Sequence, residues 1–188
     1  MKYDLGKCIC EFDMNPYIGK EDFVYFWKHD TEPIEETFAC FSQWYPSAFV
    51  VDGVSYICAE QYMMAEKARV FNDKNTIEKI LQATEPARIK KLGREVRNFV
   101  PEQWDKLSEE VVLKGNLHKF GQNRRLLGIL LSTANKTLVE ASPYDKIWGI
   151  GMTADIADRH GYPHAWKGQN KLGFILMEVR DILRDIYE

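Results

Sequence analysis

The chain lacks a long apolar run, a strong excess of one charge and any paired cysteine spacing, and each absence removes a class of function. No stretch reaches the ~18 apolar residues of a membrane-spanning helix. The opening MKYDLGKCIC lacks the charged-then-apolar order of a secretory leader. A cytoplasmic protein without a membrane partner is therefore expected. The formal net charge is −3, so a broad basic footprint for duplex DNA is not expected, while a local basic pocket for a phosphate stays open. Cys8, Cys10, Cys40 and Cys58 form no CxxC pair and no set with histidines at zinc spacing, which points to reduced thiols. Gly149-Ile150-Gly151 lacks the third glycine of a dinucleotide fingerprint and the Gly-Lys-Thr of a P-loop. Asp155, Asp158, His160 and His164 match no common metal motif. Neither a metal nor another cofactor is expected.

What is present is a good core composition. Of 188 residues, 45% are apolar and 13% aromatic, enough for one domain of this length. The patterning predicts a single α+β domain over residues 1–188, helix-rich with a small antiparallel sheet, in which 1–36 forms an N-terminal arm and strand. Short strands are expected at 8–12, 23–27, 38–41 and 136–141. Residues 48–51 and 54–58 flank Asp52-Gly53, a strong two-residue hairpin signal because both turn positions favour φ > 0. Helices are expected over 59–71, 76–82, from an N-cap at Thr84 through Arg97, over 101–121 and 124–132, and over 171–187 with Asn170 as N-cap. The basic residues of the 86–97 helix read mainly as a solvated face, with one or two able to reach a phosphate. Residues 142–169 are irregular, polar and aromatic, and long loops inside compact domains often form sites.

The helix over 59–71, AEQYMMAEKARVF, is the unusual element. At about 100° per residue, Glu60, Met64, Lys67 and Phe71 share one stripe. Side chains lean toward the helix N-terminus, so Lys67 leans toward Glu60. Burying either charge alone is costly. The stripe is either a half-buried ion pair or the floor of a site. Trp44, Tyr45, Trp148 and Trp166 sit in loops beside proline or glycine; such rings either cap a core or stack on a flat ring such as a nucleobase. Asp145 beside Trp148 could orient a ribose hydroxyl under a stacking surface.

Several separated motifs then occur in order. They are Phe-Ser-x-x-Tyr-Pro-Ser-x-Phe at 41–49, Val-Asp-Gly-x-x-Tyr at 51–56, and Ala-Glu-Gln-Tyr with Lys67-Ala68. Trp104, Lys119-Phe120-x-Gln122-Asn123 and Leu138-Val139-Glu140-Ala141-Ser142-Pro143-x-Asp145-x-x-Trp148-Gly149 follow. Trp166-x-Gly168-x-Asn170-x-Leu172-Gly173 and Leu176-Met177-Glu178-Val179-Arg180 close the series. From about Phe38 to Leu183 the chain resembles the NADAR, or YbiA-like, family. Two departures stand out: Ser42-Gln43-Trp44 replaces the Ser-Asn-Phe of many relatives, and Gln61 stands where they have histidine.

The resemblance implies hydrolysis of a ribose C1–N bond. The substrate class would be either ADP-ribose attached to guanine in nucleic acid, which the enzyme removes, or phosphoribosylated amine intermediates of early riboflavin synthesis. It implies ADP-ribose or another ribose-phosphate compound as partner, including ADP-ribosylated DNA or nucleotide. Glu60 and Lys67 would be catalytic: Glu60 as the carboxylate near C1, Lys67 as an oxygen ligand that keeps Glu60 ionised or as an amine forming a Schiff base, with Lys167 as a second lysine candidate. Ser42, Trp44, Asp145, Trp148, Gly149, Trp166, Lys167, Gly168 and Asn170 would bind substrate, and the amides after Gly168 would offer a phosphate site. A module that binds ADP-ribose or a nucleotide without cleaving it is the alternative.

Overall fold

The computed structural model describes residues 1–15, 17–160 and 162–187. The fold is α+β and helix-rich. Two compact units are present, one formed by Met1–Ser42 with Leu127–Glu188 and the other by Gln43–Leu126.

In the first unit, α1 spans Leu5–Met14. A strand was expected at 8–12, but Leu5, Cys8, Ile9 and Phe12 recur at helical spacing and are half-buried. Asp4 starts the helix by accepting a hydrogen bond from the Lys7 amide at 2.9 Å. The arm is tied down: Phe12 lies edge-on to His164, whose Nε2 is 2.7 Å from Asp13 Oδ1. Strand β1, Phe23–Phe26, follows the aromatic run as expected. The one-turn helix α2 covers Ile34–Thr37. The strand expected at 38–41 is instead a 3-10 turn, Ala39–Phe41, because Phe38 adopts a left-handed φ of 52°.

The second unit opens with β2 (Phe49–Val51) and β3 (Val54–Tyr56), which pair antiparallel around Asp52-Gly53. Both turn residues have the expected positive φ, 50° and 79°. Four helices follow: α3 (Ala59–Val70), α4 (Lys74–Gln82), α5 (Pro86–Arg94) and α6 (Pro101–Gly121). Helix α3 packs against α4, α5 and α6. This enclosure buries every residue from Ala59 through Ala65, more than the one stripe anticipated. The N-cap of α5 is Glu85 rather than Thr84, and it makes no side-chain capping bond. The same helix stops at Arg94 instead of continuing to Arg97. Arg97 is exposed, as the solvated-face reading expects, yet its guanidinium and amide both reach Asp73, the buried N-cap of α4.

Helix α7, Arg124–Ser132, contains the boundary between the units. Strand β4, Thr137–Glu140, pairs parallel with β1 in the register Phe23↔Thr137 to Phe26↔Glu140. The sheet is thus two separate pairs, one antiparallel and one parallel. The parallel pair requires the long crossover that residues 27–136 supply. The 142–169 stretch is not wholly irregular; it holds α8 (Ala154–His160) and a 3-10 turn at Tyr162–Ala165. The final helix α9, Lys171–Tyr187, packs on β4. Its fully buried Arg180 donates to Thr133 Oγ1 and the Lys136 carbonyl, closing the turn before β4.

Candidate functional site

The hairpin delivers the chain into α3, and the first turn of α3 is held from several sides. The Gln43 carbonyl accepts the Glu60 amide at 2.9 Å. The Gln43 side chain exchanges hydrogen bonds with Asn116 of α6 at 3.1 and 3.4 Å. Gln61 is buried; its Oε1 accepts from the Ile57 amide and its Nε2 donates to the Ile80 and Ala83 carbonyls. Both departures from the family pattern at 43 and 61 therefore fall on side chains that brace α3. Gln122 pairs with both backbone groups of Val50, and Asn123 donates to the Ala48 carbonyl, so that part of the 119–123 motif clamps β2 onto the end of α6.

Glu60 is buried, 6% exposed, and Lys67 lies two turns along α3, half-buried. Its ammonium sits over the Phe99 ring, 3.9 Å from the centroid, and Phe99 is itself packed edge-on against Phe71. Among the described residues Lys67 makes no ion pair or hydrogen bond, so of the two readings of this stripe the Lys67–Glu60 ion pair is not formed. Burial pushes the Lys67 pKa below the ordinary lysine value; the charge of Glu60 works upward against this, and that of Arg94 adds a smaller push downward. Trp44 is half-buried with Lys90 of α5 over its ring, 5.6 Å from the centroid.

One residue of this unit was missed. Lys119 is wholly buried, at 0% exposure. It occupies the same stripe of α6 as Ser108, Val112, Gly115 and Asn116, all buried. A charge on an otherwise core-facing stripe is the signal that singled out Glu60, and it applies equally here.

In the other unit, the loop after β4 and the loop before α9 are joined by backbone hydrogen bonds. The amides of Lys167, Gln169, Asn170, Lys171 and Leu172 donate to the carbonyls of Ile150, Lys146, Gly149, Ile147 and Trp148. Those amides are consumed within the fold, which removes the phosphate site expected after Gly168. The loops approach so closely that a methyl on Gly168 would lie 2.3 Å from the Gly149 carbonyl oxygen, and one on Gly149 2.8 Å from that of Glu140. Asp145 Oδ1 accepts the amides of Ile147 and Trp148 at 2.9 and 2.8 Å and shapes this turn. Trp148 is half-buried.

Asn170 is fully buried with a left-handed φ of 54°. Its side chain does not cap α9 as expected; Oδ1 accepts from the Glu140 amide and Nδ2 donates to the Leu138 carbonyl, both at 2.9 Å. Trp166 packs edge-on against Phe23, and its buried Nε1 has no acceptor among the described residues. Ser42 is buried at the end of the 3-10 turn, and Lys167 is exposed. The structure thus gathers Asp145, Trp148, Gly149, Gly168 and Asn170 in one pair of loops, and Glu60, Lys67 and Trp44 in the other unit. No group of three or more metal-ligating side chains gathers among the described residues; the side chain of His160 lies outside them. No described helix is long and apolar enough to cross a membrane.

The NADAR domain model matches residues 25–184. The chain belongs to the NADAR family. Within it, the N-glycosidase R617 of Acanthamoeba polyphaga mimivirus is 45% identical over 166 residues, an alignment covering 86% of this NADAR chain and 96% of the viral one. N-glycosidase YbiA of Escherichia coli (strain K12) is 33% identical over 146 residues, covering 78% and 80%. The solution structure of E. coli YbiA superposes with a TM-score of 0.71 at 28% identity, covering 91% of each chain. The riboflavin biosynthesis protein VVA0006 of Vibrio vulnificus is 32% identical over 165 residues; this NADAR chain spans 40% of its length.

Proposed function

We propose that this NADAR chain is a hydrolase that cleaves the bond between ribose C1 and a nitrogen, with Glu60 and Lys67 at the reacting centre. The observation that carries the reading is the state of Lys67: half-buried, without an anionic partner among the described residues, and depressed in pKa beside a buried carboxylate. A lysine in that state holds a larger neutral fraction, and a neutral amine is a nucleophile. Relatives named N-glycosidases support the reaction class.

Breaking the C1–N bond builds positive charge on the ribose, and the departing nitrogen takes up a proton. The Glu60 carboxylate stabilises the developing charge and later accepts a proton from the attacking water. In the amine route, Lys67 bonds to C1 as the base departs, the ribose ring opens to an imine, and water hydrolyses the imine to return the amine and free ribose. Trp44, in the same unit as Glu60 and Lys67, supplies a stacking ring in this proposal. The substrate is either ADP-ribosylated guanine or a phosphoribosylated amine.

Borohydride added during turnover, followed by peptide mass spectrometry, tests the amine route. A reduced ribose adduct on Lys67 is the expected product. Active turnover with no adduct, or an adduct confined to Lys167, refutes the assignment. Release of free guanine from ADP-ribosylated oligonucleotide, and of the free base product from a phosphoribosylated amine, separates the two substrate classes. Binding of either without product release would make the chain a binding module.

A further inference from the structure

We infer that Lys119 is the positioning residue that holds Glu60 ionised, an inference resting on the catalytic role proposed for Glu60. A fully buried ammonium needs an anion, because an unpaired one is too costly to keep. The packing of α6 on α3 says which anion is near. A methyl on Gly115 would meet the Tyr62 ring at 2.5 Å, so the stripe of α6 that carries Gly115 faces α3 at Tyr62. Asn116 is on that stripe and is bridged to the Glu60 backbone through Gln43, whose side chain bonds Asn116 and whose carbonyl accepts the Glu60 amide. Lys119 follows one turn further along α6, on the same buried stripe, beyond Gly115 and Asn116 and toward the N-terminal end of α3. The buried thiol of Cys58, immediately before α3, feels the charges of both Glu60 and Lys119. Tyr62, Gln43–Asn116 and Cys58 thus converge on one place for the Lys119 ammonium, beside the Glu60 carboxylate.

Of the other charged groups on this side, Lys90 of α5 lies over the Trp44 ring, 5.6 Å from its centroid. Lys67, on the same helix as Glu60, rests on Phe99 and makes no ion pair among the described residues. Arg94 of α5 acts on Lys67. Helix α4 meets this turn of α3 through the neutral amide of Gln61. The counter-charge of the catalytic carboxylate thus comes from α6, and the amine on α3 is left for chemistry.

The test reads the carboxyl group directly. Protein labelled with [5-13C]glutamate, with the Glu60 resonance assigned from Glu60→Gln, is titrated by NMR. Lys119→Met is expected to raise the Glu60 midpoint by at least one pH unit, a tenfold fall in its acid dissociation constant, and Lys119→Arg to restore it. An unmoved midpoint overturns the pairing. Thermal melting of Glu60→Gln, Lys119→Met and the double variant gives a second reading. Each single change leaves a buried charge unpaired, so the double variant is expected to melt higher than the sum of the single losses implies; additive losses overturn the pairing. If Lys119→Met does not fold, the double variant, which leaves neither charge alone, is expected to fold, and a double variant that also fails overturns it.

None of these measurements needs a substrate. If the midpoint moves and the enzyme cleaves neither substrate class, the proposed function fails and the pairing stands. If turnover is seen, the acid limb of its pH profile moves upward in Lys119→Met together with the midpoint.

Discussion

Asn170→Ala is a large perturbation of a single side chain, and its magnitude follows from two hydrogen bonds. The Asn170 amide satisfies the Glu140 N–H and the Leu138 carbonyl, both 2.9 Å away, from a fully buried position. Truncation leaves both strand groups without a partner in a place closed to water. Each such orphan costs about 1–3 kcal/mol. Asparagine also tolerates the left-handed φ of 54° better than alanine, a difference of about 1 kcal/mol. The expected loss is about 5 kcal/mol, at the upper end for one substitution. For a chain of this length that is a fall in Tm of roughly 10–20 °C.

Differential scanning calorimetry of wild type, Asn170→Ala and Asn170→Gly measures it. Glycine relieves the φ strain and keeps the loss of both bonds, so it is expected to melt a few degrees above alanine and far below wild type. Hydrogen exchange adds a local readout, in which the Glu140 amide loses its protection in both variants. If Asn170→Ala melts within ~2 °C of wild type while substrate binding collapses, the residue works as a ligand contact and the reasoning from the two strand bonds is wrong.

Three further outcomes follow from other parts of the fold. Asp73→Ala removes the buried cap of α4 and the acceptor for Arg97, with an expected loss of about 2–4 kcal/mol in urea melts; a loss under ~1 kcal/mol would contradict it. Hydrogen bonds from Arg97 and Thr76 hold the Asp73 carboxyl well below the usual carboxylate range, so its stabilisation is complete above pH ~4 and is lost as pH falls through the lower folded value; Asp73→Asn is expected to flatten that acid limb. Gly115→Ala drives a methyl into the Tyr62 ring at 2.5 Å, and overpacking of about 1–3 kcal/mol outweighs the helix-propensity gain of ~1 kcal/mol, so the variant is expected to melt lower, not higher. Competitive labelling of lysines with an amine reagent, read by mass spectrometry across pH, is expected to show Lys67 reacting at lower pH than exposed lysines, and an identical pH profile would remove the depressed amine.

The sequence was legible where a local rule acts alone. Asp52-Gly53 makes the hairpin, and Pro101 opens α6 at the position read from it, while α5 begins one residue later than its Thr84 N-cap reading, at Pro86. It misled where neighbours decide. The 38–41 run is apolar enough for a strand, but Phe38 is left-handed and the run folds as a 3-10 turn. Leu5, Cys8, Ile9 and Phe12 carry helical spacing in a segment too mixed to stand out, and contacts from a residue more than 150 positions away hold it. Asn170 sits where a helix N-cap belongs, and only the arrival of β4 reveals that its amide serves a strand. The amides after Gly168 look like a phosphate site in one dimension, whereas in three they are bonded to the 146–149 carbonyls where two loops touch.

Lys67 and Lys119 also explain each other. Were Lys67 the counter-ion of Glu60, its ammonium would be fixed by that pair and closed to chemistry. With Lys119 beside the carboxylate, a protonated Lys67 would instead add a second positive charge near the same acid, with Arg94 close by and part of its water removed by burial. Each of the last two conditions favours the neutral amine, while the ring of Phe99 and the residual pull of Glu60 favour the ammonium. A balance of that kind leaves a lysine able to change protonation state, which is what the proposed amine route asks of Lys67.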